Sequence, residues 1–390
     1  MLRFLTAGES HGKGLAVIVE GLPAGLPITK DVIQAELARR RLGYGRGPRQ
    51  RFEVDEIELL GGIRHGRTLG SPVLITIANT EWPKWEQEMS PDPGVTEKPL
   101  HQVRPGHADL AGMQKYGLVD ARDVLERASA RETAARVAAG ACAKVLLEHI
   151  GVQVVSHVVQ MGQAKSNPSL RPLPEDLEKV DASEVRCVDA AAAEAMVAEI
   201  KAAAKVGDSL GGAAEVLAYN VPVGLGSHVH WDRKLDALWA QALMSIQAIK
   251  AVEIGDGIEV AGKRGSEGHD AISWDEDSGK YVRTTSLAGG LEGGISSGAL
   301  MSARLWMKPL ATLSRPVLET VNTQTKESTV SFRERTDVTA VPAMGVIAES
   351  MTALVLAGEA LRKFGGDSLD EFVRNFTSFK ASLDEGIGGV

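Results

Sequence analysis

Three long stretches of this sequence are apolar on nearly every face of the helix that each would form. They cover residues 135–147, 236–252 and 343–361. A helix without a polar face is covered on more than one side, so these stretches predict a layered interior. Shorter pieces rich in β-forming residues lie between them, at 151–158, 213–219, 301–307 and 328–332. They lack the regular strand and helix alternation of a doubly wound fold, so we expect an α+β protein with apolar helices between sheets, in one domain spanning 1–390.

Composition limits the partners that such a protein can have. The 390 residues carry a formal net charge of −8, whereas bulk nucleic-acid or membrane-surface binding needs a basic field. No apolar run approaches the ~20 residues of a membrane span, and the first residues lack a signal peptide's long apolar stretch. The two cysteines, Cys142 and Cys187, have neither disulfide-framework nor metal-ligand spacing. We therefore expect a cytoplasmic protein without nucleic-acid, membrane or metal partners.

Arginines concentrate in one segment of this acidic chain. Six of them fall within thirteen residues: Arg39, Arg40, Arg41, Arg46, Arg49 and Arg51. The planar guanidinium group suits bidentate contact with phosphate or carboxylate. Arg39 and Arg41 are also explained as basic residues at the end of a helix predicted over 30–41. Arg46 and Arg49 lie in a Gly/Pro loop, where no helix dipole accounts for them. The segment indicates an anion-binding site, with an RNA-binding module as the alternative.

A second concentration of charged groups runs from Arg104 to Ala143. It contains two sets of polar residues: Arg104, His107 and Asp109 around a Pro-Gly turn, and Arg127, Ser129 and Arg131 at the start of an Ala-rich helix. A helix start presents free backbone N–H groups and the positive end of the macrodipole. This arrangement predicts an anion site beside a proton donor, although a turn followed by an ordinary capped helix would explain the same residues.

Near the N-terminus, a glycine-rich loop separates two predicted strands, 2–6 and 15–22, and carries Ser10 and His11. His11 is interpreted as an acid or base in a cleft, with a surface histidine as the alternative. The loop also fits the G-x-S-x-G pattern of a serine hydrolase. That pattern needs a helix after the serine, whereas here a strand is predicted.

Other loops add further candidate groups. The Trp- and Pro-rich residues 79–103 are too long for an ordinary connection and predict a mobile lid, and 380–390 are expected to form a flexible tail. The glycine-rich residues 286–300 would let the backbone approach a flat or phosphorylated ligand, with a flexible surface loop as the alternative. Arg335 and Asp337 precede a buried helix, where the arginine would keep the carboxylate ready to accept a proton.

Two remaining motifs have simpler explanations. His228, His230 and Asp232 could ligate a metal, but no further ligand accompanies them. The sequence GDSL, at 207–210 and 366–369, occurs in some esterases, but both copies are typical of turns with an Asp or Ser cap.

Together the loops supply two histidines, a carboxylate beside an arginine, and several arginines. They contain no convincing Ser-His-Asp order, no Walker loop and no metal cluster. These residues predict an enzyme that acts on a small, polyanionic, phosphorylated molecule by proton transfer. They do not specify the reaction.

Eight blocks of the sequence resemble, in order and over the whole chain, those of the chorismate synthase family. The blocks are GESHGKGL at 8–15, RRRLGYGRGPR at 39–49, RPGHAD at 104–109, ERASARETAARVAAGA at 126–141, GDSLGG at 207–212, QAIKAVEIGDG at 247–257, GGLEGGISSG at 289–298 and RTDVTAVPAMGVIAES at 335–350. Three details depart from the family's usual blocks: RASAR replaces RSSAR at 127–131, Ser297 replaces Asn, and KPLATL replaces KPISTL from Lys308. These changes affect individual flavin hydrogen bonds more than the function.

The resemblance implies a reaction, a fold and an assembly. Members of the family convert 5-enolpyruvylshikimate 3-phosphate to chorismate by a 1,4-anti elimination of phosphate, the last step of the shikimate pathway. They require reduced FMN although the reaction has no net redox change. Some members also reduce the flavin with a nicotinamide, which leaves NADPH open as a reductant here. They are homotetramers with a β-α-β sandwich fold, in which helices lie between antiparallel sheets.

The resemblance also assigns site residues by position. His11 would protonate the departing phosphate, His107 would donate toward the N1/C2-carbonyl edge of the flavin, and Asp337 would work with flavin N5 in removing the substrate's proton. The residues implied to hold the substrate's phosphate and two carboxylates are Ser10, Arg40, Arg46, Arg49, Arg104, Ser129, Arg131 and Arg335. The residues implied to contact the flavin are Arg127, Ser129, Ala130, Gln247, Ala248, Gly294, Lys308, Thr312 and Arg335.

Overall fold

The computed structural model describes residues 2–47, 55–277, 279–332 and 336–384, which form an α+β arrangement. Of the predicted site residues, Arg49 and Arg335 lie outside these ranges, as does most of the predicted tail. The strands are β1 Arg3–Gly8, β2 Gly14–Glu20, β3 Ile57–Gly61, β4 Ile63–Arg64, β5 Arg67–Thr68, β6 Val73–Ala78, β7 Gln153–Met161, β8 Ala164–Lys165, β9 Gly212–Tyr219, β10 Ile249–Ile254, β11 Ile272–Asp275, β12 Lys280–Arg283, β13 Leu291–Glu292, β14 Ile295–Ser296, β15 Met301–Met307, β16 Glu319–Val321 and β17 Ser328–Val330. The α-helices are α1 Lys30–Arg40, α2 Trp82–Trp85, α3 Asp109–Tyr116, α4 Arg122–Ala128, α5 Thr133–Glu148, α6 Leu177–Ala182, α7 Ala190–Val206, α8 Leu235–Met244, α9 Gly257–Val260, α10 Val341–Phe364 and α11 Leu369–Asp384.

Two antiparallel sheets contain most of the longer strands. The first has four strands in the order β1-β2-β6-β3, and the second has five in the order β10-β15-β9-β7-β8. Side chains alternate between the two faces of each strand. On β9, for example, Ala214, Val216 and Ala218 join the hydrophobic core, whereas Glu215 lies on the opposite face. The remaining strands form two-stranded hairpins.

Helices α5 and α10 lie in the core and are buried on nearly every side, as their composition predicts. Thirteen of the 16 residues of α5 and 19 of the 24 residues of α10 are buried. α5 packs on β2 and β6 of the first sheet, α10 packs on β7 and β9 of the second, and the two helices pack on each other. At their contact, a Cβ atom on Gly140 would lie 2.3 Å from Cβ of Ser350, so glycine is what allows this close approach.

Helix α10 is also long and apolar enough to cross a membrane, by length and composition alone. In the described structure, 89% of its most apolar window is buried inside the protein. The core therefore accounts for its apolar character.

The third apolar stretch is not one buried helix. α8 ends at Met244 and β10 begins at Ile249, so the helix predicted over 236–252 is wrong in its second half. Only three of the ten residues of α8 are buried. The chain turns at Ala248, whose φ is 66°, and the following residues pair with β15. β-Branched residues favour a strand where a partner strand is present, and helical periodicity alone does not report such a partner.

Candidate active site

The loop between β1 and β2 is fixed to helix α4 through Glu126. The backbone N–H of Ser10 donates to the carbonyl oxygen of Glu126 at 3.1 Å, and the backbone N–H of His11 donates to its carboxylate at 2.9 Å. Nδ1 of His11 lies 2.9 and 3.0 Å from the two carboxylate oxygens. All three residues are buried. His11 is therefore a buried group held on both its backbone and its ring, and the surface-histidine alternative is wrong.

The charge state of Glu126 decides which nitrogen of His11 carries a proton. Burial alone would raise the pKa of Glu126, but the hydrogen bonds and charge of His11, together with Arg122, lower it below its ordinary value. Arg122 donates to Oε1 of Glu126 at 2.9 Å. Because an ionised carboxylate can only accept hydrogen bonds, Nδ1 of His11 is the donor in this pair.

An aromatic side chain from the 79–103 segment covers His11. The ring of Trp85, in α2, lies with its centroid 4.2 Å from that of His11 at an interplanar angle of 30°. The guanidinium group of Arg122 lies 4.8 Å from the Trp85 centroid. The segment therefore contributes a direct contact to the site.

The Ala-rich helix is predicted to include Arg127, Ser129 and Arg131 at its start. In the structure these residues lie around an interruption between α4 and α5. Ser129 is extended, with φ −62° and ψ 144°, and one 3₁₀ turn over Ala130–Glu132 follows before α5 begins. Oγ of Ser129 accepts a hydrogen bond from the backbone N–H of Arg131 at 3.3 Å, which caps this turn. Arg127 donates to the carbonyl oxygens of Thr6 and Gly8 on β1, so the break joins this segment to the first sheet.

Several guanidinium groups converge near the buried carboxylate of Asp55. Arg131 donates to Asp55 and also to the side chain of Asn79, and Nη2 of Arg40 lies 3.7 Å from Asp55. Burial, together with the positive charges of Arg131 and Arg46, lowers the pKa of Arg40 to about 10, although Asp55 opposes this. In the described ranges, Nε of Arg40 and Nε of Arg46 are buried without a hydrogen-bond partner. Positive charge in excess over one carboxylate fits a site for an anionic ligand.

Arg46 connects this cluster to Asp337. Nη1 of Arg46 lies 3.1 Å from Oδ2 of Asp337, and the backbone N–H of Gly47 donates to Oδ1 at 2.5 Å. We expected Arg335 to be the charge partner of Asp337, and Arg335 lies outside the described residues. Arg46 is a partner that the sequence did not reveal, because the two residues are far apart along the chain.

The second histidine is held within its own loop. Asp109 is fully buried, accepts hydrogen bonds from the backbone, Nε and Nη2 of Arg104 at 3.0 to 3.2 Å, and lies 2.5 Å from Nδ1 of His107. Burial would raise the pKa of Asp109, but the hydrogen bonds from His107 and Arg104 lower it to about 2. The RPGHAD block therefore places a charged pair and a half-buried imidazole together, as the sequence predicts.

Residues expected to contact the flavin continue from this loop. Nη1 of Arg104 donates to Thr312 at 2.9 Å, and the ammonium group of Lys308 donates to the carbonyl oxygen of Gly106. The backbone N–H of Lys308 donates to the carbonyl oxygen of Ala248 at 3.0 Å. The structure thus brings Arg104, His107, Ala248, Lys308 and Thr312 together.

Gln247 links that group to the 3₁₀ turn. Its Nε2 donates to Glu132 at 3.0 Å, whereas its Oε1 is buried and, within the described chain, lacks a hydrogen-bond partner. An isoalloxazine ring has both N–H donors and carbonyl acceptors, so the unused acceptor of Gln247 could accept from one of the ring's N–H groups. Ala130, in the turn, is exposed.

Gly294 is not brought near Gln247 within one chain. Its carbonyl oxygen accepts the N–H of Leu235 at the first residue of α8, whereas Gln247 follows the other end of that helix. A ten-residue helix is about 15 Å long. The two predicted flavin contacts are therefore at opposite ends of α8.

The structure also shows site residues that the sequence did not single out: Asp55, Asn79, Trp85 and Glu126. Of these four, only Glu126 gave a signal in the sequence, as a glutamate next to Arg127 in a partly apolar helix. That signal does not show that Glu126 contacts His11. His230 and Asp232 form an exposed pair at 2.6 Å. Within the described ranges no group of three His, Cys, Asp or Glu residues could hold a metal ion.

Comparisons with known proteins show the family of this chain. The family model described as Chorismate synthase matches residues 2–361. A chorismate synthase of Streptomyces avermitilis is 58% identical, with 98% of each chain covered, and one of Streptomyces coelicolor is 57% identical, covering 98% of this chain and 99% of its own. A crystal structure of chorismate synthase matches with a TM-score of 0.79 and 41% identity over 99% of both chains. These similarities give no support to the hydrolase and RNA-binding alternatives, and the chain belongs to the chorismate synthase family.

Proposed function

We propose that this chain converts 5-enolpyruvylshikimate 3-phosphate to chorismate by a 1,4-anti elimination of phosphate that requires reduced FMN. The observation that carries this proposal is the arginine cluster around Asp55. It reaches the loop of His11 through Asn79, which donates to the carbonyl oxygens of Glu9 and Gly12, and it reaches Asp337 through Arg46. Family membership supports the lyase activity, and the contacts of these residues support individual roles.

The arginines would bind a substrate that carries three anionic groups. Arg40, Arg46 and Arg131 supply charged N–H groups in a buried site, where charge-assisted hydrogen bonds contribute about 1.5–3 kcal/mol each. Asp55 and Asn79 hold Arg131 before the substrate arrives, which reduces the ordering that binding requires. The other residues proposed to contact the substrate are Ser10, Arg49, Arg104, Ser129 and Arg335.

His11 and Asp337 would handle the two proton transfers. His11, held at Nδ1, donates a proton from Nε2 to an oxygen of the departing phosphate. Asp337 accepts the proton that leaves the substrate ring. General acid–base groups placed in this way contribute about 10²–10⁴-fold each.

The residues proposed to hold FMN are those around His107, Lys308 and the 3₁₀ turn. Bound reduced FMN supplies transient electron density that assists cleavage of the C–O bond without net oxidation. His107 would donate toward the ring's N1/C2-carbonyl edge, and the unused oxygen of Gln247 would accept from a ring N–H. Arg127, Ser129, Ala130, Ala248, Gly294, Thr312 and Arg335 complete the proposed contacts.

We also propose the finer features of the family for this chain. These are a β-α-β sandwich in a single domain, a cytoplasmic location, and a homotetramer. The packing of α5 and α10 on different sheets supports the sandwich. The position of Gly294 at the far end of α8 from Gln247 supports a flavin site that takes Gly294 from a second subunit. The contact of Trp85 with His11 supports a lid at 79–103.

The test is phosphate release under anaerobic conditions, with 5-enolpyruvylshikimate 3-phosphate and either reduced or oxidised FMN. We expect phosphate only with the reduced form. The proposal is wrong if no phosphate appears or if release is indifferent to the flavin's redox state. Ser10→Ala should retain measurable turnover, because a hydroxyl that only binds substrate can be lost, whereas a serine nucleophile cannot.

A further inference from the structure

The contacts of Glu126 go beyond what is needed to pack helix α4. We propose that Glu126 is a positioning residue that fixes the tautomer and orientation of His11, so that Nε2 delivers the proton to the departing phosphate. This inference rests on the proposed role of His11 as the general acid, and it assigns to Glu126 a part in that same step.

The geometry fixes the backbone and the ring of His11 at once. The carboxylate of Glu126 accepts from the backbone N–H of His11 at 2.9 Å and lies 2.9 and 3.0 Å from Nδ1. Glu126 is 2% exposed, so these bonds are shielded from water. A single buried carboxylate that binds both groups of one residue restricts both the loop and the ring torsions of that residue.

The carboxylate also decides where the protons of His11 lie. The tautomer of a histidine is set by the hydrogen bond that one ring nitrogen makes, and an ionised Glu126 can only accept from Nδ1–H. The step starts from His11 protonated on both ring nitrogens, with Nδ1–H held by Glu126; the Nε2–H bond breaks and a phosphate O–H bond forms, while the electrons of the C–O bond leave with the phosphate. The ring is then neutral with its proton on Nδ1, and Glu126 remains ionised throughout.

The surroundings of the pair favour this one arrangement. Arg122, on α4, donates to Oε1 of Glu126 at 2.9 Å. Its guanidinium group also lies 4.8 Å from the centroid of the Trp85 ring. Trp85, on α2, lies against the His11 ring. The charged groups that face His11 in these contacts are thus Glu126 and, behind it, Arg122.

The experiment compares Glu126→Gln with a matched control, Glu215→Gln. Glutamine keeps the size of the side chain and one acceptor oxygen but removes the charge. Glu215 is also a buried carboxylate paired with a histidine, at 3.3 Å from Nε2 of His157, and it lies on a strand of the second sheet. Glu215 also accepts hydrogen bonds from Arg171 and Arg304, so the control removes a buried, paired carboxylate charge outside the proposed site.

Two measurements distinguish positioning from a structural role. We expect kcat of Glu126→Gln to fall about 10- to 100-fold, with KM for 5-enolpyruvylshikimate 3-phosphate changed less than about threefold. In the protein without ligands, ¹⁵N NMR of the imidazole nitrogens should show neutral His11 protonated at Nδ1 in the wild type and shifted toward Nε2–H in the variant. The His11 signals are assigned by their loss in His11→Ala. Glu215→Gln should change neither kcat nor the His11 signals.

The outcomes separate this inference from the proposed function. If His11→Ala is inactive but Glu126→Gln keeps wild-type kcat and the Nδ1–H tautomer, the positioning role is wrong and the role of His11 stands. If His11→Ala is active, the proposed role of His11 is wrong. Should Glu126→Gln fail to fold, Glu126→Asp keeps the charge. That variant must then retain the Nδ1–H tautomer, and Nε2–H in its place would overturn the inference.

Discussion

The two histidines of the candidate site are held by the same chemistry but by very different parts of the chain. His107 lies against Asp109, two residues away at the start of helix α3, whereas His11 lies against Glu126, 115 residues away on helix α4. In both pairs Nδ1 meets a buried carboxylate that an arginine also binds. The difference is that the first pair needs only a local turn, whereas the second exists only after the β1–β2 loop has packed on α4.

The surroundings of the two pairs differ as well. Asp109 is fully buried and accepts three hydrogen bonds from Arg104, whereas in the described part of the chain Glu126 accepts one arginine hydrogen bond, from Arg122. The ring of His11 is covered by Trp85, and the side chain of His107 is 21% exposed. We infer that Asp109 contributes mainly to the stability of its loop, and that the contacts of His11 serve mainly to hold its ring.

The largest effects on turnover are expected from removing the imidazole rings of His11 and His107. His11→Ala and His107→Ala should each lower turnover about 100-fold or more, the loss expected for a general acid or a donor to the cofactor. Anaerobic phosphate release measures this. His230→Ala is the matched control, because His230 also pairs with a carboxylate but is exposed. A near-normal rate in either site variant would show that this histidine is not needed for turnover. The two histidines could then no longer be compared as parts of one active site.

Asp109→Asn should cost stability on the order of 2 kcal/mol at neutral pH. The pKa of Asp109 is lowered from 3.8 to about 2 in the folded protein, and each unit corresponds to about 1.4 kcal/mol. Because the folded pKa is the lower one, this contribution is present above about pH 4 and is lost as the pH falls toward 2.

The check on Asp109 is urea unfolding of both proteins between pH 2 and 7. The difference in the free energy of unfolding should shrink as the pH falls through this window. A difference that is constant with pH would mean that the charge of Asp109 is not its source.

A smaller effect on kcat is expected from removing the Trp85 ring that packs on His11. A stacked ring pair contributes about 0.5–1.5 kcal/mol beyond its buried area, so Trp85→Leu should lower kcat by about 2- to 12-fold and leave the stability of the His107 loop unchanged. Trp274→Leu removes a similar contact, with Tyr281 at 5.0 Å on the β11–β12 hairpin, and should not alter kcat. Equal kcat values for the wild type, Trp85→Leu and Trp274→Leu would show that the contact of Trp85 with His11 does not contribute to catalysis.

The smallest change is expected in the dynamics of the 79–103 segment. If it is a lid over His11, limited proteolysis within it should be slower when FMN and substrate are both bound, because closure reduces local opening. Cleavage elsewhere in the same samples serves as the internal reference. Equal cleavage with and without the ligands would contradict a lid and leave Trp85 as a fixed part of the site.

The same contrast between local and distant partners explains what could be predicted from the sequence. The β1–β2 hairpin, helix α1 and the buried helices α5 and α10 follow from local periodicity, and the His107 loop follows from residues within one block. The strand β10 was missed, because its partner β15 is more than forty residues further along the chain. Glu126 and Asp55 were missed for the same reason, since a single sequence without homologues does not show which distant residues meet.

Gly140, in the core, also affects the geometry of the candidate site. The absent methyl group at Gly140 sets the spacing between the helix that rests on the first sheet and the helix that rests on the second. The 3₁₀ turn with Arg131 leads into one of these helices, and the loop with Asp337 leads into the other. The width of the gap in which a ligand would have to fit therefore depends on the absence of a side chain at one position in the middle of the core.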